Sequence, residues 1–272
     1  MERQEMGKSD LVSIIMPSYN CGRYIEASIR SVQAQTYRQW ELLVVDDCST
    51  DGSLQTALAL QKDDPRIRVL RHEKRSGAAT ARNWALREAR GRWIAFLDSD
   101  DQWEPTKLER QIAFMEQHGY AFSYTNYQEM DEHLQLTGKL VSGPRRITRA
   151  GMYAFCWPGC LTVMYDATKV GPVQIKPIHK NNDYALWLKV IRKADCYLLD
   201  ECLARYTRGR SGSITTHGYG ALIKWHYLLF RHAEEMSAPA SFLLMCGNLL
   251  FGVLKKLLYM KNIEHYDTEI SV

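Results

Sequence analysis

Apolar and polar positions follow two alternating rhythms through the first hundred residues. Residues 11–16 form a short apolar run closed by Pro17, and residues 24–35 follow with Ile25, Ile29 and Val32 at helical spacing. Residues 40–45 are a second apolar run, ending in Asp46-Asp47. The turn Asp51-Gly52-Ser53 then opens a helix through Leu54, Leu58 and Ala59. Residues 67–70 read as a third strand, residues 78–89 as an Ala- and Arg-rich helix closed by Gly91, and residues 93–97 as a fourth strand. Strands and helices in strict alternation predict an α/β fold, a mostly parallel central sheet with helices on both faces.

Beyond residue 105 the rhythm loosens. Residues 107–117 read as a helix, 120–127 as an extended aromatic segment, 134–143 as a hairpin or loop and 161–165 as a strand. Residues 183–193 are helical, with Tyr184, Leu188 and Ile191 on one face, and residues 197–199 form a last short strand. Residues 205–217, rich in Gly, Ser, Thr and Arg, read as a mobile loop. From residue 222 onward the pattern is helical. Residues 242–254 are nearly all apolar and lead into Lys255, Lys256 and Lys261. No apolar run reaches the roughly 18–20 residues that span a bilayer. The segment therefore reads either as a helix lying in a membrane interface with its lysines on anionic headgroups, or as a helix packed on the main body or on a second subunit.

Composition narrows this picture. The chain has 272 residues, 46% hydrophobic and 24% charged, an ordinary globular balance, and a net charge of +4 is too mild to imply a nucleic-acid partner. The seven cysteines are dispersed, with no Cys-x-x-Cys pair, which fits reduced thiols better than a disulfide framework or a zinc site. The first ten residues are polar, without the apolar centre of a signal peptide, so the expected location is cytoplasmic.

Three of the predicted strands end in polar groups suited to one ligand. After the first come Pro17-Ser18-Tyr19-Asn20, where Tyr19 can stack on a base. After the second comes Asp47, able to accept a hydrogen bond from a uracil imide or a ribose hydroxyl. After the fourth come Asp98, Asp100 and Asp101, carboxylates whose crowding a divalent cation relieves and through which a cation can bridge a diphosphate. Alone, that acidic turn is equally a cap for the helix that holds Pro105. In open α/β sheets ligands collect beyond the carboxyl ends of strands, and three such ends in order make one site. Other nucleotide and hydrolase signatures are absent: there is no Gly-x-Gly-x-x-Gly after the first strand, no P-loop, no His-Glu-x-x-His and no Gly-x-Ser-x-Gly.

The run Val12-Ser13-Ile14-Ile15-Met16-Pro17-Ser18-Tyr19-Asn20 resembles the opening of family 2 glycosyltransferases. Ser31-Val32-Gln33-Ala34-Gln35-Thr36-Tyr37, Val44-Val45-Asp46-Asp47-Cys48-Ser49-Thr50-Asp51-Gly52-Ser53, Ala79-Thr80-Ala81-Arg82-Asn83 and Phe96-Leu97-Asp98-Ser99-Asp100-Asp101 continue the resemblance in register. The resemblance implies a GT-A fold and inverting transfer from a nucleotide-diphosphate sugar, with uridine favoured. Pro17, Tyr19, Asp47, Arg82 and Asp98 match nucleotide-binding positions. Asp100, with Asp101 beside it, matches the ligands of a Mn2+ or Mg2+ cofactor, to which His217 is a further candidate ligand. Asp183 matches the general base, although the Glu that usually precedes it is Asn182 here, which puts its pKa and acceptor contacts in question. Read without the resemblance, Asp183 is equally a helix cap. Arg208 and Arg210 lie in a segment resembling the loop that closes over the diphosphate.

The resemblance also implies a division of the chain. Residues 1–10 are a polar tail, 11–105 a nucleotide-sugar-binding half, 106–217 an acceptor-binding and catalytic-base half, and 218–272 a helical segment for membrane-surface or oligomer contact. Its setting is O-antigen or capsule synthesis, with a lipid-diphosphate-linked saccharide as acceptor and a peripheral place on the cytosolic face of the inner membrane. Two other classes compete. A nucleotide-sugar-forming nucleotidyltransferase shares the core and the metal carboxylates but carries a Gly-rich basic loop after its first strand. A non-catalytic nucleotide-sugar-binding subunit would not need the acidic set.

Overall fold

The computed structural model describes residues 10–209 and 219–263. The first half runs β1 (Val12–Ser18), α1 (Ile25–Gln33), β2 (Trp40–Asp46), α2 (Ser53–Asp63), β3 (Ile67–Arg71), α3 (Ala78–Glu88) and β4 (Trp93–Phe96). There follow β5 (Gln102–Trp103), α4 (Lys107–His118), β6 (Phe122–Met130), β7 (Leu136–Val141), β8 (Arg146–Ile147) and α5 (Arg149–Ala154). The chain continues through β9 (Met164–Asp166), α6 (Ala167–Val170), α7 (Asn182–Val190) and β10 (Cys196–Thr207). It closes with α8 (Tyr219–Leu228), α9 (Ala238–Leu258) and β11 (Met260–Asn262).

One sheet runs through both halves, in the order β11-β7-β6-β9-β4-β1-β2-β3, with β10 joined to β6, β5 and β8. The strands β3, β2, β1 and β4 are parallel, and β9 joins β4 antiparallel. Alternate residues feed two cores, as the two-residue strand period requires. Val12, Ile14, Met16, Leu42, Val44, Trp93 and Ala95 pack with Ile25, Ile29, Val32, Leu108 and Ile112 on one face. Ile15, Leu43, Val45, Ile94 and Phe96 pack with Ala81, Ala85, Tyr184, Trp187 and Leu188 on the other. Every residue of β1 and β2 is buried, which is why those segments read as unbroken apolar runs.

Besides β10, which runs from Cys196 to Thr207 through the short strand read at 197–199 and into the segment read as a loop from 205, the structure corrects the sequence reading at three places. First, β1 continues through Pro17 to Ser18, with Pro17 opposite Val45. The ladder between β1 and β4 stops at Ile15 opposite Phe96, so the missing proline N–H falls where no partner strand remains. Second, the chain does not end in helices alone: β11 pairs antiparallel with β7, Met260 opposite Val141. Third, the late apolar segment is longer than its run suggested. Helix α9 has 21 residues and a mean hydropathy of 1.5, long and apolar enough by length and composition to cross a membrane. Ser237 at its N-cap and Pro239 in its first turn start it before the apolar run begins, so the run understates the helix.

Candidate active site

The carboxyl ends of β1, β2 and β4 converge with the N-termini of α3 and α7. The loops after β1 and β2 are tied to each other by short polar contacts. The Asn20 side-chain oxygen accepts from the Thr50 N–H at 2.9 Å, the Cys21 N–H donates to Ser53 Oγ at 2.9 Å and the Gly22 N–H donates to Asp51 Oδ2 at 2.8 Å. At Gly22 a Cβ would stand 2.8 Å from the Asp51 carbonyl oxygen, so only glycine allows the two loops to meet. Pro17 and Tyr19 are carried on this rim, with Pro17 buried and Tyr19 half-buried. The Arg75 guanidinium lies 4.0 Å from the Tyr19 ring centre, a cation–π pair at the mouth of the site.

Asp47 is 3% exposed and organises the loop that leads into α3. Its Oδ1 accepts from Ser76 N–H at 2.7 Å and contacts His72 Nδ1 at 2.8 Å, and its Oδ2 accepts from Gly77 N–H at 2.8 Å. Burial raises the pKa of this carboxyl, but the hydrogen bonds from His72, Ser76 and Gly77 outweigh burial and hold it below the usual carboxylate range. Gly77 has φ +86°, a conformation that side-chain-bearing residues rarely adopt, and so turns the chain from Asp47 into the helix.

Arg82, about one turn into α3, is 4% exposed and joins the two halves of the site. One arm of its guanidinium donates to Asp98 Oδ1 and the other to Asn182 Oδ1, the residue before Asp183; the first also approaches Cys160 Sγ at 3.6 Å. Its Nε is buried without a hydrogen-bond partner. Burial disfavours its charge, yet the carboxylates of Asp98 and Asp183 more than offset this and keep it firmly protonated. Asp183 stands in the first turn of α7 while Asn181 occupies the N-cap with φ 57°, so Asp183 is not the cap of that helix. Burial raises the Asp183 pKa above the usual carboxylate range, and Arg82 and the Tyr184 N–H temper the rise.

The acidic turn after β4 is locked to the end of β10. Asp101, 1% exposed, accepts from the Thr207 N–H at 2.8 Å, and the Thr207 hydroxyl donates to the Asp100 carbonyl. Asp100 is less enclosed than Asp101. Carboxylate oxygens grouped at one strand end suit a hard cation such as Mg2+ or Mn2+, which commonly takes one or two protein carboxylates and completes its shell with phosphate and water. Among the described residues no group of three or more His, Cys, Asp or Glu is placed to hold a metal ion.

The structure thus brings Asp98, Arg82, Asn182 and Asp183 together, with Pro17, Tyr19 and Asp47 on the adjoining rim. It turns Arg208 elsewhere: this guanidinium bonds both oxygens of Glu129, at 3.0 and 2.9 Å. Arg210 and His217 lie outside the described residues. Sequence reasoning missed His72, Arg75 and Lys255. The ammonium of Lys255, on α9, donates to the Trp157 carbonyl at 2.6 Å, and burial lowers its pKa although Cys156 and Asp183 act to raise it. In the sequence Lys255 is indistinguishable from its neighbour Lys256.

Comparison with known proteins bears on the family and the fold. The family described as glycosyl transferase family 2 matches residues 13–154. The chain is 41% identical over 227 residues to the teichuronic acid biosynthesis glycosyltransferase TuaG of Bacillus subtilis, covering 83% of this chain and 89% of that one. It is 47% identical over 182 residues to the UDP-Glc:alpha-D-GlcNAc-diphosphoundecaprenol beta-1,3-glucosyltransferase WfgD of Escherichia coli, covering 67% and 70%. Among solved structures, residues 1–349 of Staphylococcus aureus TarS in complex with UDP-GlcNAc superimpose with a TM-score of 0.66 at 20% identity, covering 88% of this chain and 71% of that one. That likeness carries the GT-A fold.

Proposed function

The chain belongs to glycosyl transferase family 2, and from that premise we propose that it moves a hexose from a UDP-sugar to a hydroxyl of a lipid-diphosphate-linked saccharide, with inversion. It is a glycosyltransferase; the donor, the acceptor and the mechanism are the proposal. The observation that carries it is the fork of Arg82, which ties the strand-end aspartate Asp98 to the helix start that bears Asp183. That fork sets a general base against a diphosphate site. The glucosyltransferase relative supports UDP-glucose as the first donor to try and a GlcNAc-diphospholipid as the first acceptor. The setting that follows is surface polysaccharide synthesis, O-antigen or capsule, at the cytosolic face of the membrane.

In the proposed reaction Tyr19, on the rim with Pro17, stacks on the base. Asp47 fixes the loop that closes the nucleoside end. Asp183 takes the proton from the acceptor hydroxyl as that oxygen attacks the anomeric carbon. Its raised pKa makes it a stronger base than an exposed carboxylate, and the Arg82 charge opposes that rise. Asp100, with Asp101 beside it, would hold a divalent cation and Asp98 would meet the nucleotide, and such a cation when bound supplies positive charge against the departing diphosphate. Arg208 would have to leave Glu129 to reach the phosphates, and the roles proposed for Arg210 and His217 lie outside the described residues.

Calorimetric titration of UDP, GDP and dTDP, each with and without Mn2+, tests the donor site on the wild type and on Asp100→Asn. UDP binding that needs metal and is lost in the variant is the expected result. Metal-independent binding of all three would remove the proposed cation site. Asp183→Asn is expected to bind UDP normally and to lose transfer by about 10²–10⁴-fold. NMR of the product is expected to show inverted anomeric configuration, and retention would overturn single displacement.

A further inference from the structure

We infer that α9 lies flat in the interface of an anionic bilayer, holding the acceptor half of the enzyme against the membrane. The inference rests on the proposed lipid-linked acceptor and adds to it the surface that meets the lipid. Phe242, Leu243, Leu250, Val253, Leu257 and Leu258 are 57–72% exposed. They are six of the nine exposed large apolar side chains among the described residues, a concentration that scattered surface hydrophobics do not produce. At about 100° per residue they fall on one side of the helix, with the exposed Cys246 among them.

The opposite stripe is Ser241, Met245, Asn248, Gly252, Lys255 and Tyr259, and it is held by the protein along its whole length. Ser241, Met245 and Asn248 are buried. Asn248 Nδ2 donates to the Tyr153 carbonyl at 3.2 Å, and a Cβ on Gly252 would meet the Phe155 ring at 3.3 Å. Lys255 reaches the Trp157 carbonyl, and the Tyr259 ring lies 5.5 Å from that of Trp157. Directly after the helix, β11 enters the sheet beside β7. A helix of 21 residues can cross a bilayer, but this one would have to shed its packed stripe and leave a strand unpaired to do so. Lying in the plane of the interface keeps every one of these contacts and covers only the open face.

The charge around this face complements an anionic lipid surface. Residues 236–263 contain no Asp or Glu. Lys256 is exposed in the last turn of the helix, Lys261 on β11, and Lys139 on the strand opposite β11. Anionic headgroups would neutralise these cations beside the open apolar face. The stripe also touches Tyr153, Phe155 and Trp157, in the segment leading to Cys160 beneath Arg82, so membrane seating holds the acceptor side of the site close to the lipid surface.

The test uses the full chain with vesicles of phosphatidylcholine alone or mixed with phosphatidylglycerol. Sedimentation with the anionic vesicles is expected, weakening with salt. It should fall by about tenfold in Leu250→Glu/Leu257→Glu and lose its preference for the anionic lipid in Lys256→Glu/Lys261→Glu. A polarity-sensitive probe on Cys246 of the otherwise unchanged protein should shift to the blue on the same vesicles, a readout independent of how the variants fold. Equal sedimentation of all variants with no probe shift would overturn the inference. So would a lipid-free dimer that Leu250→Glu/Leu257→Glu dissociates, since the face would then be a subunit contact. Transfer to a short-chain, water-soluble acceptor separates the two readings. Its loss in the wild type with vesicle binding intact counts against the proposed reaction, and its retention in the variants assigns their defect to the membrane.

Discussion

Arg82 shows how much one buried residue decides. Its guanidinium holds Asp98 on one side and Asn182 on the other, a geometry that lysine cannot reproduce with a single ammonium. Arg82→Lys is expected to lower kcat/KM by on the order of a hundredfold, as loss of one preorganised donor commonly does. Arg82→Met removes the charge that tempers the raised Asp183 pKa. The proposed base acts only when ionised, so activity falls as pH drops through its pKa, and the acid limb of the pH–rate profile is expected to move to higher pH in this variant. An unmoved limb would separate Arg82 from the base. Asp47 makes a prediction of opposite sign. Its pKa is lowered on folding from an unfolded value of about 3.9, so its contribution to stability is complete above about pH 4 and is lost as pH falls through the folded value. Asp47→Asn is expected to cost about 2 kcal/mol at neutral pH and to flatten the acid dependence of urea unfolding.

At the level of elements, the site depends on loops that are short because they are stitched together. The contacts among Asn20, Cys21, Gly22, Thr50, Asp51 and Ser53 hold the rim that carries Tyr19. Gly22→Ala forces a methyl group against the Asp51 carbonyl and is expected to cost about 1–3 kcal/mol in urea unfolding, with weaker nucleotide binding as a second readout. Helix α7 is held in place by its core face. Trp187 is fully buried and meets Phe96 of β4 edge-on, with ring centres 4.9 Å apart. Trp187→Ala is expected to cost about 3–5 kcal/mol and to displace Asp183 with the helix, so turnover should fall even where the protein stays folded.

At the scale of the whole molecule, the two halves share one sheet, and the C-terminal helix is part of its support. Ending the chain at Met236 removes one of the two partners of β7, leaving β6, and uncovers Tyr153, Phe155 and Trp157. A melt several degrees below the full chain is expected, and an unchanged melting temperature would mean that α9 contributes nothing to the fold.

The parallel half and the strand-end carboxylates were legible in the sequence because they depend on local pattern. Buried parallel strands are unbroken apolar runs, and ligand groups sit directly after them. The short motifs between Val12 and Asp101, the one around Asp98 and Asp100 among them, identified the family. The partners of those residues were not legible. Arg82 and Asn182 are a hundred positions apart, Lys255 looks like any solvated lysine, and β11 has no pattern of its own until β7 is beside it. Local periodicity determines which face of an element is buried; only the packed fold determines which distant polar group faces which, because those contacts form between elements that the sequence separates. Tertiary structure likewise decided that α9 has one held face and one open face. Its residues are apolar nearly all round, and only the surface it packs against distinguishes the two sides.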